Sequence, residues 1–191
     1  MNFFELVFRR YSCRRFNKDR PCEREKLKRC VEAARLAPSA CNSQPWRFLI
    51  IDEPELKNKV AQVATRGIYG VLNRFLPSAP CIVVVLADRE RFIARAGGFV
   101  MRTDYFLIDI GIACEHFVLQ AQELGLRTCY IGYFNERGLR KLLKIPRRYK
   151  IVLLIAVGYP ADEKDEDMKK KRKPIDEIMF FNRFKGKKQP S

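Results

Sequence analysis

The stretch Tyr105-Phe-Leu-Ile-Asp109-Ile-Gly111-Ile-Ala113-Cys-Glu-His116-Phe-Val-Leu-Gln-Ala-Gln-Glu123-Leu-Gly125-Leu-Arg-Thr-Cys-Tyr130-Ile131-Gly132 decides the fold. Over 105–124 apolar side chains occupy nearly every side of a helical projection, so the segment reads as a helix buried all round. Gly111 and Ala113 permit close approach of a neighbour, which suits the middle of a dimer. Gly125 supplies the residue that ends such a helix in a left-handed cap. Residues 126–134 then run through a short strand into the turn at Gly132, where backbone can approach a ligand with no side chain between.

Working outward, Cys-Ile-Val-Val-Val-Leu-Ala at 81–87 is β-branched and uncharged, the pattern of a central strand covered on both faces. Residues 151–157, closed by Gly158-Tyr159-Pro160, read as a second buried strand and 46–51 as a third. Helices are expected at 3–10 with one greasy face, from Pro21 through the stripe Leu27, Cys30, Val31, Ala34 and Leu36, at 52–64, and at 139–143. Residues 65–80 are irregular. The basic 89–100 segment contains Gly97-Gly98 and reads as a loop bordering the site, while the acidic-then-basic run at 161–173 reads as an exposed connection. The Lys-rich tail beyond Phe184 is expected to be loose or draped on a partner. One domain, 1–191, accommodates all of it.

Two polar stretches carry the chemistry. In Arg9-Arg10-Tyr11-Ser12-Cys13-Arg14-Arg15-Phe16, an extended backbone places Arg10, Ser12 and Arg14 on one face, where forked guanidiniums and a hydroxyl suit phosphate oxygens. In Ala37-Pro38-Ser39-Ala40-Cys41-Asn42-Ser43-Gln44-Pro45-Trp46, two prolines block regular pairing. Ser39, Asn42, Ser43 and Gln44 offer donors and acceptors to something polar and flat.

The bulk numbers set limits. With 47% hydrophobic and 31% charged residues the chain is an ordinary globular one. No apolar run approaches a membrane span and the first twenty residues lack a signal-peptide core, so a cytoplasmic location is expected. The seven cysteines are odd in number and nowhere spaced C-x-x-C, which argues against a disulfide framework or a zinc site, and no metal is expected. His116, the lone histidine, falls on the buried helix and reads as structural. The net charge of +16 implies attraction to anions. A basic binding module for nucleic acid or an acidic partner, using residues 89–102 and 164–188, is the alternative reading. No helix-turn-helix, RNP-type or zinc-finger signature accompanies the charge, which weighs against nucleic acid.

Taken in order, the segments resemble the FMN-dependent nitroreductases. The similarity lies in the R-x-S-x-R-x-F entry at 10–16, the P-S-x-x-N-x-Q-P-W loop at 38–46, and the central helix followed by Glu-Leu-Gly-Leu-x-Thr and an aromatic-Ile-Gly turn. The closing Arg172-Lys173-Pro174 completes it. The resemblance implies an α+β fold, a three-layer α/β/α arrangement with a mixed central sheet flanked by helices. It also implies an intertwined homodimer with FMN sites at the interface. It implies that Arg10, Ser12 and Arg172, with Lys170 or Lys173, hold the FMN phosphate, and that Arg14 and Asn73 reach the flavin ring. Tyr130, Ile131 and Gly132 face the flavin, and Pro38, Ser39, Ala40, Asn42 and Gln44 complete the partner's site. The implied activity is NAD(P)H-dependent: NADH or NADPH reduces FMN, which then reduces a nitroaromatic, quinone or similar small-molecule electron acceptor. The chemistry belongs to the cofactor, so no catalytic side chain is expected. Departures lie at Tyr11, around Asn73 and in the basic 89–102 segment.

Overall fold

In the computed structural model of the protein the described residues are 1–88, 104–162 and 171–184. The expected 89–100 loop, Lys170, the tail beyond Phe184 and most of the charged 161–173 connection lie outside them.

Four strands form one sheet in the order β1-β2-β4-β3, with β1 Trp46–Ile51, β2 Cys81–Asp88, β3 Arg127–Ile131 and β4 Tyr149–Gly158. Neighbouring strands are antiparallel throughout. The parallel component is the bridge Ser12↔Thr128 on the outer edge of β3, reinforced by the Cys13 N–H donating to the Thr128 carbonyl at 2.9 Å. The mixed character of the sheet rests on that bridge.

Every residue of β2 is buried. Cys81, Val83, Val85 and Ala87 enter one core with α2 (Arg24–Arg35) and α4 (Tyr105–Glu123). Ile82, Val84 and Leu86 enter a second core with α3 (Pro54–Ala64) and α5 (Glu136–Leu142). The period-two alternation of the apolar run 81–87 thus builds the three layers, each fully buried Val, Leu or Ile contributing about 1.5–3 kcal/mol.

The central helix α4 ends as Gly125 requires. With φ of +80° at Gly125, the Leu126 N–H reaches the Ala121 carbonyl at 2.9 Å and the Gly125 N–H the Gln122 carbonyl at 3.2 Å. This Schellman pattern satisfies carbonyls the helix leaves unpaired. His116 Nδ1 lies 3.2 Å from the Ala33 carbonyl oxygen, so the one histidine ties α4 to α2. None of the seven cysteines, all among the described residues, is in a disulfide, and burial pushes the Cys22, Cys30 and Cys114 thiols up to about 12.

Helix starts follow their caps rather than the apolar period. α3 begins at Pro54 because the Glu53 carboxylate accepts the Glu55 and Leu56 N–H groups. α5 begins at Glu136, ahead of the expected 139, because Asn135 accepts the Gly138 N–H at 2.9 Å. α2 begins at Arg24, beyond Pro21. Leu36, expected on its apolar stripe, caps its end and is 66% exposed. α1 (Phe3–Arg9) carries the expected greasy face, with an Asn2/Glu5 capping box, but buries none of it: Phe3 and Phe4 are 72% and 81% exposed.

Candidate functional site

The Ser12↔Thr128 bridge delivers the Arg10–Arg14 segment to β3, the strand that ends in Tyr130 and Ile131 and runs into the turn at Gly132. Because the pairing is parallel, moving from Ser12 to Arg14 tracks the partner strand toward Tyr130. Arg10 is half-buried, Ser12 half-buried and Arg14 exposed, its guanidinium 6.0 Å from the centre of the Phe75 ring. Burial pushes the Cys129 thiol up while the charges of Arg14 and Arg10 act against it, which sets both guanidiniums beside the strand. Tyr130 donates its hydroxyl to Glu115 of α4 at 3.2 Å. Desolvation, reinforced by that carboxylate, raises its pKa.

Gly132 is exposed, its φ lies outside the left-handed range, and a Cβ built on it meets nothing within 4 Å. Neither backbone conformation nor neighbouring atoms call for glycine there. Beside the turn is a cavity of about 540 Å³ lined by Tyr69, Gly132, Tyr133, Phe134, Asn135 and the α5 residues Glu136, Arg137 and Arg140. The Tyr69 and Tyr133 rings pair at 4.8 Å between centroids.

Asn73 is buried, and its side-chain amide donates to the Tyr133 carbonyl at 2.6 Å and the Tyr69 carbonyl at 3.1 Å. Its donors therefore tie the irregular 67–76 segment to the glycine turn, leaving Oδ1 as the atom available to a ligand.

The second polar stretch folds as a short 3-10 turn, Ala40–Asn42, entered from extended backbone at Ser39 and left through Ser43 in the right-handed helical region. Cys41, Asn42 and Gln44 all have left-handed φ, at 51°, 51° and 48°. Ser39 Oγ accepts the Gln44 N–H at 3.0 Å, and Gln44 Nε2 donates to Asn42 Oδ1 at 2.7 Å. Pro38 is exposed, Ser39 and Ala40 half-buried, and Trp46 buried in the core below. The loop is fastened to α4 by Asp109, which accepts the Ala40 N–H at 3.1 Å. Asp109 is not among the expected site residues; its one signal in the sequence is that of a lone carboxylate in the otherwise apolar 105–114 run.

Arg172 and Lys173 lie on the exposed 171–184 segment, where Arg172 donates to the Lys171 carbonyl. Among the described residues no hydrogen bond or ion pair joins them to Arg10 or Ser12. The structure thus assembles Arg10, Ser12, Arg14, Asn73 and the 130–132 turn into one cluster. The 38–44 loop is a second element. No helix of the described residues is long and apolar enough to cross a membrane, and no group of His, Cys, Asp and Glu among them could hold a metal.

A model of the nitroreductase family matches residues 7–159. The chain belongs to the nitroreductase family. The match spans both polar stretches and all four strands. An Archaeoglobus fulgidus protein with the provisional name NADH dehydrogenase/NAD(P)H nitroreductase is 31% identical over 165 residues, covering 84% of this chain and 87% of that one. The solved structure of an FMN-dependent nitroreductase from Clostridium difficile superposes with a TM-score of 0.74 at 29% identity, covering 95% of this chain and all of the other. Iodotyrosine deiodinase 1 of Homo sapiens is 28% identical over 199 residues, 93% of this chain and 67% of that protein. The α+β nitroreductase fold is therefore established, and the family makes the chain an oxidoreductase of the nitroreductase type.

Proposed function

We propose that the protein is a homodimeric FMN oxidoreductase that takes electrons from NADH or NADPH and delivers them to a nitroaromatic, quinone or similar planar acceptor by a ping-pong route. The observation that carries this reading is Gly132, a glycine that its own backbone and neighbours do not require, on the turn after the strand to which the Arg10–Arg14 segment is bridged. A flat ring resting on the turn accounts for the missing side chain.

Arg10 and Ser12 would neutralise and hydrogen-bond the phosphate, with Arg172, Lys173 or Lys170 supplied by the C-terminal segment. Tyr130, Ile131 and Gly132 would bear the ring, Asn73 Oδ1 would face its polar edge, and Arg14 would offset the negative charge that reduction builds on it. When bound, FMN supplies the hydride chemistry, accepting at N5 from a nicotinamide and returning electrons to the acceptor, so no side-chain acid or base is needed. The cavity beside Gly132, with its Tyr69–Tyr133 pair, gives a planar acceptor an aromatic wall.

A second copy would supply Pro38, Ser39, Ala40, Asn42 and Gln44. The dimer reading draws on exposed apolar surface that no soluble monomer needs: Ile108 and open-sided Gly111 on α4, Phe3 and Phe4 on α1, and Ile175, Ile178 and Phe181 near the C-terminus.

The test is an absorbance spectrum of purified protein with added FMN, then anaerobic titration with NADH and NADPH. Bound flavin bleached by either nucleotide is the expected result; protein that stays colourless sinks the proposal. Arg10→Ala with Arg172→Ala should weaken FMN binding by at least about tenfold. Unchanged affinity would remove the assigned phosphate grip. Product analysis with nitroaromatic, quinone and halogenated aromatic acceptors then separates reductase from dehalogenase chemistry.

A further inference from the structure

Asp109 is 4% exposed in a helix whose other residues from 105 to 114 carry no charge. Burying a carboxylate is costly unless hydrogen bonds replace its water, and helix packing does not call for one here. Its two oxygens are spent on the 39–44 loop: Oδ1 accepts the Ala40 N–H at 3.1 Å and Oδ2 the Ser43 hydroxyl at 3.5 Å. Ser43 is itself 1% exposed.

Between and just beyond these anchors lie Cys41, Asn42 and Gln44, all with positive φ. Non-glycine residues leave that region readily when nothing holds them, because it is less favourable than the extended or helical wells. The Ser39–Gln44 and Gln44–Asn42 bonds close the loop on itself but do not fasten it to the body. Asp109 does, from a rigid helix, at positions 40 and 43, while Arg47 of β1 donates to the Gln44 carbonyl at 3.3 Å at the loop's far end. The same helix carries Glu115, which accepts the Tyr130 hydroxyl about 9 Å further along the axis at the usual rise of about 1.5 Å per residue. One helix thus braces the loop and also contacts the strand end of the other cluster.

We infer that Asp109 is a positioning residue. It holds the 39–44 loop, with Asn42 and Gln44 in the left-handed region, in the shape in which Ser39, Ala40, Asn42 and Gln44 receive the flavin bound by the second copy of the chain. The inference rests on the FMN-homodimer reading above. Asp109 touches neither cofactor nor substrate; it acts through the Ala40 amide and Ser43.

The experiment measures FMN affinity of Asp109→Leu, Asp109→Asn and Ser43→Ala at a temperature where far-UV circular dichroism and light scattering report folded dimer. Asp109→Leu should weaken FMN binding by about tenfold or more. Asp109→Asn keeps an acceptor for the Ala40 amide and should lose less. A mixed dimer then tests direction: one protomer carries Asp109→Leu, the other Arg10→Ala with Arg172→Ala. If the loop serves the partner's site, the mixed dimer regains one tight FMN site that neither parent homodimer has, a recovery that general loosening of the fold does not produce. No recovered site overturns the inference. Should Asp109→Leu fail to fold, Asp109→Asn and Ser43→Ala decide it: wild-type affinity in both overturns the inference while wild-type protein that still binds FMN leaves the flavoprotein reading standing. Wild-type protein that binds no FMN brings down that reading and this inference with it.

Discussion

The segment 10–14 and the loop 39–44 are assigned to the same ligand, yet they are held in place by different physics. The first is an extra piece of sheet. Backbone bonds to Thr128 fix it, so its side chains can change without its path changing. The second has no strand partner. Its shape depends on side-chain oxygens, above all those of Asp109, and on three residues in a disfavoured backbone region. The sheet-held part should therefore persist as long as the core persists, whereas the loop can be released by one substitution in a protein that stays folded.

The largest effect should come from the core under both. Val83 is fully buried at the centre of β2, facing α2 and α4. Val83→Asp would place an unpaired carboxylate there and should destabilise the chain by about 4 kcal/mol or more, a large part of a total of about 5–15 kcal/mol. Urea unfolding checks it. A cooperative transition near that of the wild type would mean that the sheet tolerates charge, and the contrast between a core-held grip and a tethered loop would lose its basis.

The same contrast governs what could be read from the chain. β2 was legible because a seven-residue apolar run, 81–87, has few other places to go, and Gly125 because a left-handed cap explains a glycine at the end of an apolar helix. The Arg10, Ser12, Arg14 face was legible for a similar reason, since alternation along extended backbone fixes which residues look the same way. Three kinds of feature were not. The starts of α3 and α5 are set by single capping side chains, Glu53 and Asn135, that compete with the apolar period. Asn73 has the right residue type for a polar ligand, but its amide donors are consumed by two carbonyls, one of them sixty positions away. Asp109 bonds a loop distant in sequence, and no local pattern announces a long-range bond.

Gly132 sharpens the comparison from the sheet-held side. Its backbone is ordinary and a Cβ there meets open space, so Gly132→Val should alter stability by no more than about 0.5 kcal/mol, a melting shift of about 1–2 °C. FMN affinity should nevertheless fall by about tenfold or more, equivalent to about 1.4 kcal/mol. Calorimetry paired with flavin titration reads both. A valine variant that binds FMN normally would place the ring elsewhere and leave the glycine unexplained.

The smallest effect belongs to Asp52, at the end of β1 away from the loop. Arg24 grips it in a fork, Nε to Oδ2 at 2.6 Å and Nη2 to Oδ1 at 3.1 Å, and this hydrogen bonding holds the Asp52 carboxyl below its ordinary value. Arg24 is 75% exposed, so solvent screens the pair and Asp52→Asn should cost less than about 1 kcal/mol at neutral pH. The sign of the pH dependence follows from the direction of the shift. A depressed carboxyl contributes stability above its unfolded value of about 3.9 and loses it as pH falls through the lower folded value. Wild type and variant should therefore differ slightly at pH 7 and converge in acid. FMN affinity should not move, because neither the Thr128 edge nor the Asp109 tether involves this pair. If it did move, the sheet would be transmitting strain from one end of β1 to the loop at the other, and the two regions could no longer be treated as separately held.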